Sequence, residues 1–391
     1  MHRHILRNGC FFISLILLAA YNFPLVSASV YQPTALSVPH ISAQSAILVE
    51  PTSGIVVYEK NADAQLPMAS TTKIMTAIIA LEHMEPSTPV EISPLAVGIE
   101  GSSIYLYVGE HLSMEHLLYA LLLESANDAA TAIAIAVAGS VESFADLMNQ
   151  KASDLGLIHT HFTNPHGLDH EDHYTTASDL ATLAAYCMQN EMFRTIVSTQ
   201  RMTIPFQDTE DARLLLNHNR LLRSFPGTIG LKTGFTKRSG RCLVSAVERD
   251  GMTLICVTLN APNDWEDHRN LYEYGFDSYT SLLLLSANAY SCRIPVIGLN
   301  PTNVEIVNPN EVRVIVPRTY GEITCTCEAP RWIAGNVEQG QPIGKLIWCR
   351  DGIVIAEEIL VAQTSANANP THSSFFKRLF HFFQKHFTKR S

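Results

Sequence analysis

The chain has 391 residues, of which 47% are hydrophobic and 16% charged, and a formal net charge of -10. That length builds one large domain and a smaller one. The composition excludes a disordered chain, and the acidic balance excludes nucleic acid as a partner.

The first 29 residues carry a basic start (Arg3, Arg7), an apolar stretch from Phe11 to Ala20 and small residues Ser27, Ala28 and Ser29 at a cleavage-type site. The apolar run is short for spanning a bilayer, and Asn22 and Pro24 interrupt it. Residues 1–29 are therefore expected to be a secretory signal, with the mature chain working outside the cytoplasm.

From residue 46, "AILVEPTSGIVVYEKN" predicts a β-hairpin around a Pro-Thr-Ser-Gly turn. "PMASTTKIMTAIIALEH", residues 67–83, then predicts a core helix with Lys73 inside its apolar run, three residues after Ser70. Positions i and i+3 share a helix face, so the ammonium points where the hydroxyl points. Residues 113–138 predict two helices interrupted by the polar "ESAND". "GTIGLKTGFT" leads into two further strands, "RCLVSAV" and "MTLICVTL", joined by an Asp250-Gly251 turn. "DWEDHRNLYEYGF" predicts a closing helix ending at Gly275.

Short β runs follow from about 287. The expected organisation is a catalytic body over 30–286 with a mostly antiparallel sheet flanked by helices, an all-β domain over 287–363 and a polar linker over 364–372. In the last stretch, 373–391, phenylalanines gather on one arc of a helical wheel, while Lys377, Arg378, Lys385 and Lys389 gather on the other. That pattern predicts an amphipathic helix lying in a membrane interface, its cations on anionic head groups.

A serine is a weak nucleophile until a base takes its proton. Lys73 supplies one for Ser70 if it is neutral, and burial or a second nearby cation lowers a lysine pKa. Ser125 and Asn127 form an S-x-N triplet in the polar break, and Lys232, Thr233 and Gly234 form K-T-G on a predicted strand. The three triplets stand in the order and rough spacing of the penicillin-recognising serine acyltransferases.

Five histidines lie between 159 and 173, but their spacing matches no helical H-x-x-x-H pair, and no metal or cofactor is expected. His166 is a weaker candidate for lining the cleft. Seven cysteines remain outside the leader, an odd count at irregular spacing and so no disulfide framework. Cys325 and Cys327 point the same way on one strand, which disfavours a bond between them. A bridge from either to Cys349 stays open.

Beyond the triplets, "PMASTTKIMTA", "SANDAA", "NPHGLD", "TTASDLA" and "NHNRLL" before "GLKTGFT" make the chain resemble the low-molecular-mass penicillin-binding proteins, the serine D-alanyl-D-alanine carboxypeptidases of peptidase family S11. The likeness runs from about Ala46 to the C-terminus. One departure is Ala126, where many relatives carry glycine.

The resemblance implies the penicillin-recognising serine transferase fold and removal of the terminal D-alanine from peptidoglycan stem peptides. Ser70 would be the nucleophile, Lys73 the general base and Ser125 the proton relay. Asn127 would bond the substrate backbone, Lys232 and Thr233 would hold its terminal carboxylate, and Gly234 would leave room for a substrate strand. The backbone N–H groups of Ser70 and Phe235 would form the oxyanion hole. β-Lactams would acylate the same serine, and the protein would act in the periplasm on the outer face of the cytoplasmic membrane. A β-lactamase is the first alternative, but no glutamate between Asn127 and Lys232 is followed four residues later by asparagine, the signature of the class A enzymes. A catalytically silent wall-binding protein is the second, and it leaves Ser70, Lys73, Ser125 and Lys232 without a purpose.

Overall fold

The computed structural model describes residues 37–206, 211–297 and 299–368. The expected signal over 1–29 and the amphipathic helix over 373–391 lie outside the described residues.

A five-stranded antiparallel sheet organises the catalytic body, in the order Ile55–Lys60, Ser45–Glu50, Met252–Leu259, Gly240–Arg249, Thr228–Thr236. The expected hairpin is present, its turn closed by the Glu50 carboxylate, which accepts from the Ser53 amide at 2.7 Å and hydroxyl at 2.6 Å. Asp250 and Gly251 both take positive φ between Arg249 and Met252, as a tight two-residue turn requires. Because side chains alternate along a strand, Leu243 and Val247 face one hydrophobic layer while Val244 and Ala246 face the other. The first layer is covered by the helix Asp264–Ser278 through Leu271, Tyr272 and Phe276, with Leu221 of the short helix Leu221–Ser224 beside them, and the second by the helices between Lys73 and Ser198.

At the centre of that second layer lies the helix Lys73–His83, buried on every side from Lys73 to Ala80. The two helices predicted over 113–138 are Met114–Leu123 and Asn127–Ala138. Ser113 caps the first by accepting from the His116 amide, and Gly139 at φ 81° ends the second. Between them, Ser125 adopts φ 61°, a left-handed conformation uncommon for a residue with a side chain.

Two boundaries differ from expectation. The helix predicted to stop at Gly275 continues to Ser278. A Cβ at Gly275 would lie 2.7 Å from Leu254 Cδ1 and 2.8 Å from Leu48 Cδ2, so this glycine lets the helix press onto the sheet and does not terminate it. The strand-rich part begins at Tyr279, before residue 287, since Tyr279–Leu285 pairs with Val312–Pro317.

Its main sheet runs Ile323–Glu328, Pro342–Arg350, Ile353–Ala362, Asn303–Val307, Ser291–Ile297, Ile333–Ala334. The polar stretch expected to be a free linker is tied down through Ala368: Ala366 is fully buried and bridges Val337, and Asn367–Ala368 pairs with Leu299–Asn300. Backbone pairing here overrides a composition that reads as linker. Cys349 sits opposite Thr324, whereas Cys325 sits opposite Trp348. Directly opposed residues share a face, so Cys349 points away from Cys325 and Cys327, which excludes the bridge left open by the sequence.

Candidate active site

Ser70 lies in a 3₁₀ turn, Ala69–Thr72, and the α-helix begins only at Lys73. The turn is held by its own hydroxyls: Thr71 Oγ1 donates to the Met68 carbonyl and Thr72 Oγ1 to the Ala69 carbonyl, each at 2.7 Å. In a 3₁₀ turn, residues three apart eclipse one another, so the sequence-predicted pairing survives the change of helix type. Lys73 Nζ stands 3.0 Å from Ser70 Oγ.

Lys73 is wholly buried, and its amine meets three oxygens: Ser70 Oγ, Asn127 Oδ1 at 2.6 Å and the His166 carbonyl at 2.6 Å. Burial, and then the nearby Lys232, holds its pKa well below the ordinary lysine value, with Asp128 opposing. A neutral amine has two N–H donors and one lone pair. The Asn127 and His166 oxygens can accept only, so they occupy both donors and leave the lone pair aimed at the Ser70 hydroxyl. That is the arrangement a general base needs.

Asn127 makes contacts that the sequence did not imply. Its Oδ1 accepts from Lys73, its Nδ2 donates to the Glu100 carbonyl at 2.6 Å and its amide N–H donates to the Ser102 carbonyl at 2.7 Å. The side chain is 4% exposed and its oxygen orients the base, while the carboxamide NH2 carries a second N–H besides the one given to Glu100. Ser125, from the adjoining break, does line the same cleft as Ser70.

The opposite wall is the strand Thr228–Thr236, which pairs with Gly240–Arg249 on one side and forms the sheet edge on the other. Its outer row of backbone groups is free of the sheet, the condition for lending N–H groups to an oxyanion or a substrate. Lys232 and Thr233 alternate: Lys232 turns inward, buried, with Nζ donating to the Thr233 carbonyl at 2.9 Å, while Thr233 lines the cleft. Burial lowers the Lys232 pKa to about 7, with Glu124 opposing.

Gly234 also lines the cleft, but a Cβ there would meet the Met68 carbonyl oxygen and the Ser70 amide nitrogen, each at 3.1 Å. The missing side chain admits the nucleophile's own turn against the strand edge, a closer constraint than room for substrate. Phe235 projects its ring outward, 64% exposed, consistent with a contribution from backbone alone.

The histidine-rich loop closes the floor. His166 enters through its carbonyl rather than its ring, and Gly167, at φ 88°, passes so near the nucleophile turn that a Cβ would lie 2.0 Å from the Ala69 carbonyl oxygen. His173 Nε2 meets Thr72 Oγ1 at 2.7 Å while its Nδ1 accepts from the Thr163 amide at 3.0 Å. Asp169 accepts from Thr236 Oγ1 at 2.9 Å, joining the loop to the K-T-G strand. Sequence reasoning missed these positioning roles, and it also missed Ser102, His218, Arg220, Arg241 and Trp265, which line the roughly 290 Å³ cleft. His218 and Arg220 stood within "NHNRLL", but nothing in a linear motif told which side chains reach the cleft.

The D-alanyl-D-alanine carboxypeptidase family profile matches residues 32–263. Among curated proteins, the chain is 30% identical over 331 residues to the D-alanyl-D-alanine carboxypeptidase DacF of Bacillus subtilis, covering 82% of this chain and 85% of that one. It is 35% identical over 262 residues to the D-alanyl-D-alanine carboxypeptidase of Streptomyces sp. strain K15, covering 62% and 90%. Among solved structures, penicillin binding protein 5 from Haemophilus influenzae superposes with a TM-score of 0.67 at 26% identity, over 85% of this chain and all of that one.

Proposed function

The chain belongs to the D-alanyl-D-alanine carboxypeptidase family, and from that membership we propose how its groups divide the reaction. It is a serine-type D-alanyl-D-alanine carboxypeptidase that removes the terminal D-alanine from peptidoglycan stem peptides and is acylated by β-lactams. Neutral Lys73 takes the Ser70 proton as Oγ attacks the carbonyl of the penultimate D-alanine. The negative charge that develops on that carbonyl oxygen is met by the backbone N–H groups of Ser70 and Phe235. Ser125, lining the same cleft as Ser70, passes the proton to the leaving D-alanine nitrogen. Thr233 donates to the terminal carboxylate, and protonated Lys232 supplies positive charge behind it. Water then attacks the acyl-enzyme, with Lys73 again as base.

The single observation carrying this reading is the buried Lys73 amine 3.0 Å from Ser70 Oγ, with its other contacts limited to two acceptors. The test is D-alanine release from a peptide ending in D-alanyl-D-alanine. Release should vanish in Ser70→Ala, and retained release in that variant would overturn the assignment.

The place of action is part of the same proposal. An exported chain held at the outer face of the cytoplasmic membrane by residues 373–391 would meet stem peptides where they are assembled. The support is the signal-like start and the segregation of phenylalanines from cations in the last 19 residues. Full-length protein should sediment with vesicles rich in anionic lipid, and protein ending at Ala368 should not. Equal sedimentation of the two would refute the anchor.

A further inference from the structure

Resting on the assignment of Lys73 as the base, we propose that Asp128 is a positioning residue for the reaction: it fixes the segment 100–106 and so keeps the oxygen of the Asn127 carboxamide, and not its NH2, on the Lys73 amine. Asn127 and Asp128 are the first two residues of the helix Asn127–Ala138, and both reach that segment. Asn127 gives Nδ2 to the Glu100 carbonyl and its amide N–H to the Ser102 carbonyl. Asp128 is wholly buried. Its carboxylate accepts from the Ser103 hydroxyl at 2.6 Å, the Ile104 amide at 3.2 Å and the Leu106 amide at 3.1 Å, besides the Ala129 amide at 2.9 Å in its own helix. Four donors converge on two oxygens, and a carboxylate has acceptor sites for all of them. A carboxamide in its place would turn an NH2 against at least one.

The segment decides which end of the Asn127 carboxamide faces the base. A carbonyl oxygen only accepts, so the Glu100 carbonyl selects the NH2 end and leaves the oxygen for Lys73, 2.6 Å away. Without Glu100 in place, the carboxamide can flip and set N–H donors against the amine. Gly101 lies between these contacts at φ 92°, and a Cβ there would stand 2.7 Å from Asn127 Nδ2, so the segment wraps closely over the carboxamide. Arg213 ties the same segment through its carbonyls, with Nε donating to Ile104 O at 2.9 Å and Nη2 to Tyr105 O at 3.1 Å. Ile104 thus gives its N–H to a carboxylate and its carbonyl to a guanidinium. Tyr105, at φ 57°, holds a left-handed conformation that a bulky residue keeps only where its surroundings enforce it.

The experiment is a double-mutant cycle in the full-length protein: Asp128→Asn, Asn127→Ala and the two together, with kcat and KM for D-alanine release expressed per serine that a β-lactam acylates. Because Asp128 acts through Asn127, Asp128→Asn should lower kcat by about tenfold with KM within about threefold, and should cost less than about threefold once residue 127 is alanine. Native kcat per acylable serine, a loss confined to KM, or the same loss in both backgrounds would each overturn the positioning role. If Asp128→Asn does not fold, Ser103→Ala, which removes one donor from the carboxylate, goes through the same cycle. A kcat loss of about two- to fivefold that disappears beside Asn127→Ala supports the role, and native kcat or an equal loss in both backgrounds overturns it. Ser70→Ala reports on the reaction separately: release retained there removes the assigned nucleophile and base, whereas release lost there, with an additive cycle, removes the role of Asp128 alone.

Discussion

Replacing Asn127 separates two accounts of how this enzyme works. In the structure, its buried carboxamide joins the Lys73 amine at 2.6 Å to the Glu100 carbonyl at 2.6 Å. Asn127→Ala takes one of three partners from the amine and the side-chain donor from the Glu100 carbonyl, at about 1–3 kcal/mol for each buried polar group left short of a bond. It also frees one N–H of the amine to rotate, so the lone pair is aimed at Ser70 for only part of the time. If about 1.4–2.8 kcal/mol of that loss is felt in the transition state, turnover falls by about 10–100-fold. Asn127→Asp keeps the shape but sets a carboxylate against the amine, which favours protonated Lys73 and moves the low-pH limb of activity upward.

The assay is D-alanine release, with kcat and KM measured separately, together with the rate of acylation by a β-lactam. Both kcat and the acylation rate should fall in Asn127→Ala, because both need the base. A variant with a raised KM but unchanged kcat and acylation would show that Asn127 binds the substrate backbone, and the orientation argument would fail.

Lys232 leads to a second expectation. With its pKa at about 7, the positive charge behind the substrate carboxylate is lost as pH rises through neutrality, so kcat/KM should decline above about pH 7. Lys232→Arg should flatten that limb, and an identical limb in the variant would refute the assignment. Gly167→Ala would force a Cβ to 2.0 Å from the Ala69 carbonyl oxygen and should displace the nucleophile turn, lowering β-lactam acylation by at least about tenfold. Acylation at the native rate would show that the loop can retreat without moving Ser70. Burial holds His166, His173 and His268 at about 3 in the folded chain against 6.5 for a free histidine. Between those values the unfolded chain binds protons that the folded chain refuses, so stability is intact above about pH 6.5 and is lost as pH falls towards 3. At pH 5 the loss is about 2 kcal/mol per histidine, read as a lower urea midpoint than at pH 7, and equal midpoints would refute it.

What could be read from the sequence alone was local and periodic. The near-continuous apolar runs in "RCLVSAV" and "MTLICVTL" marked strands because a sheet buried on both faces needs apolar residues in both registers. The Ser70–Lys73 pairing needed only the repeat of a helical turn, and it tolerated the substitution of a 3₁₀ turn for an α-helix. The polar break at Ser125 was legible because polar residues inside an apolar helical run require a structural purpose.

Contacts between segments far apart in the chain were decided only in three dimensions. Sequence cannot show that Lys73, 54 positions away, bonds the Asn127 oxygen. The same limit hid the His166 carbonyl and Gly167, since a carbonyl carries no residue identity and a glycine does not name the turn pressed against it. Gly275 marked a helix end by composition, yet the sheet beneath it required the glycine within the helix. Residue types and their spacing determined which groups carry the chemistry, while packing determined which way each one points and what holds it there.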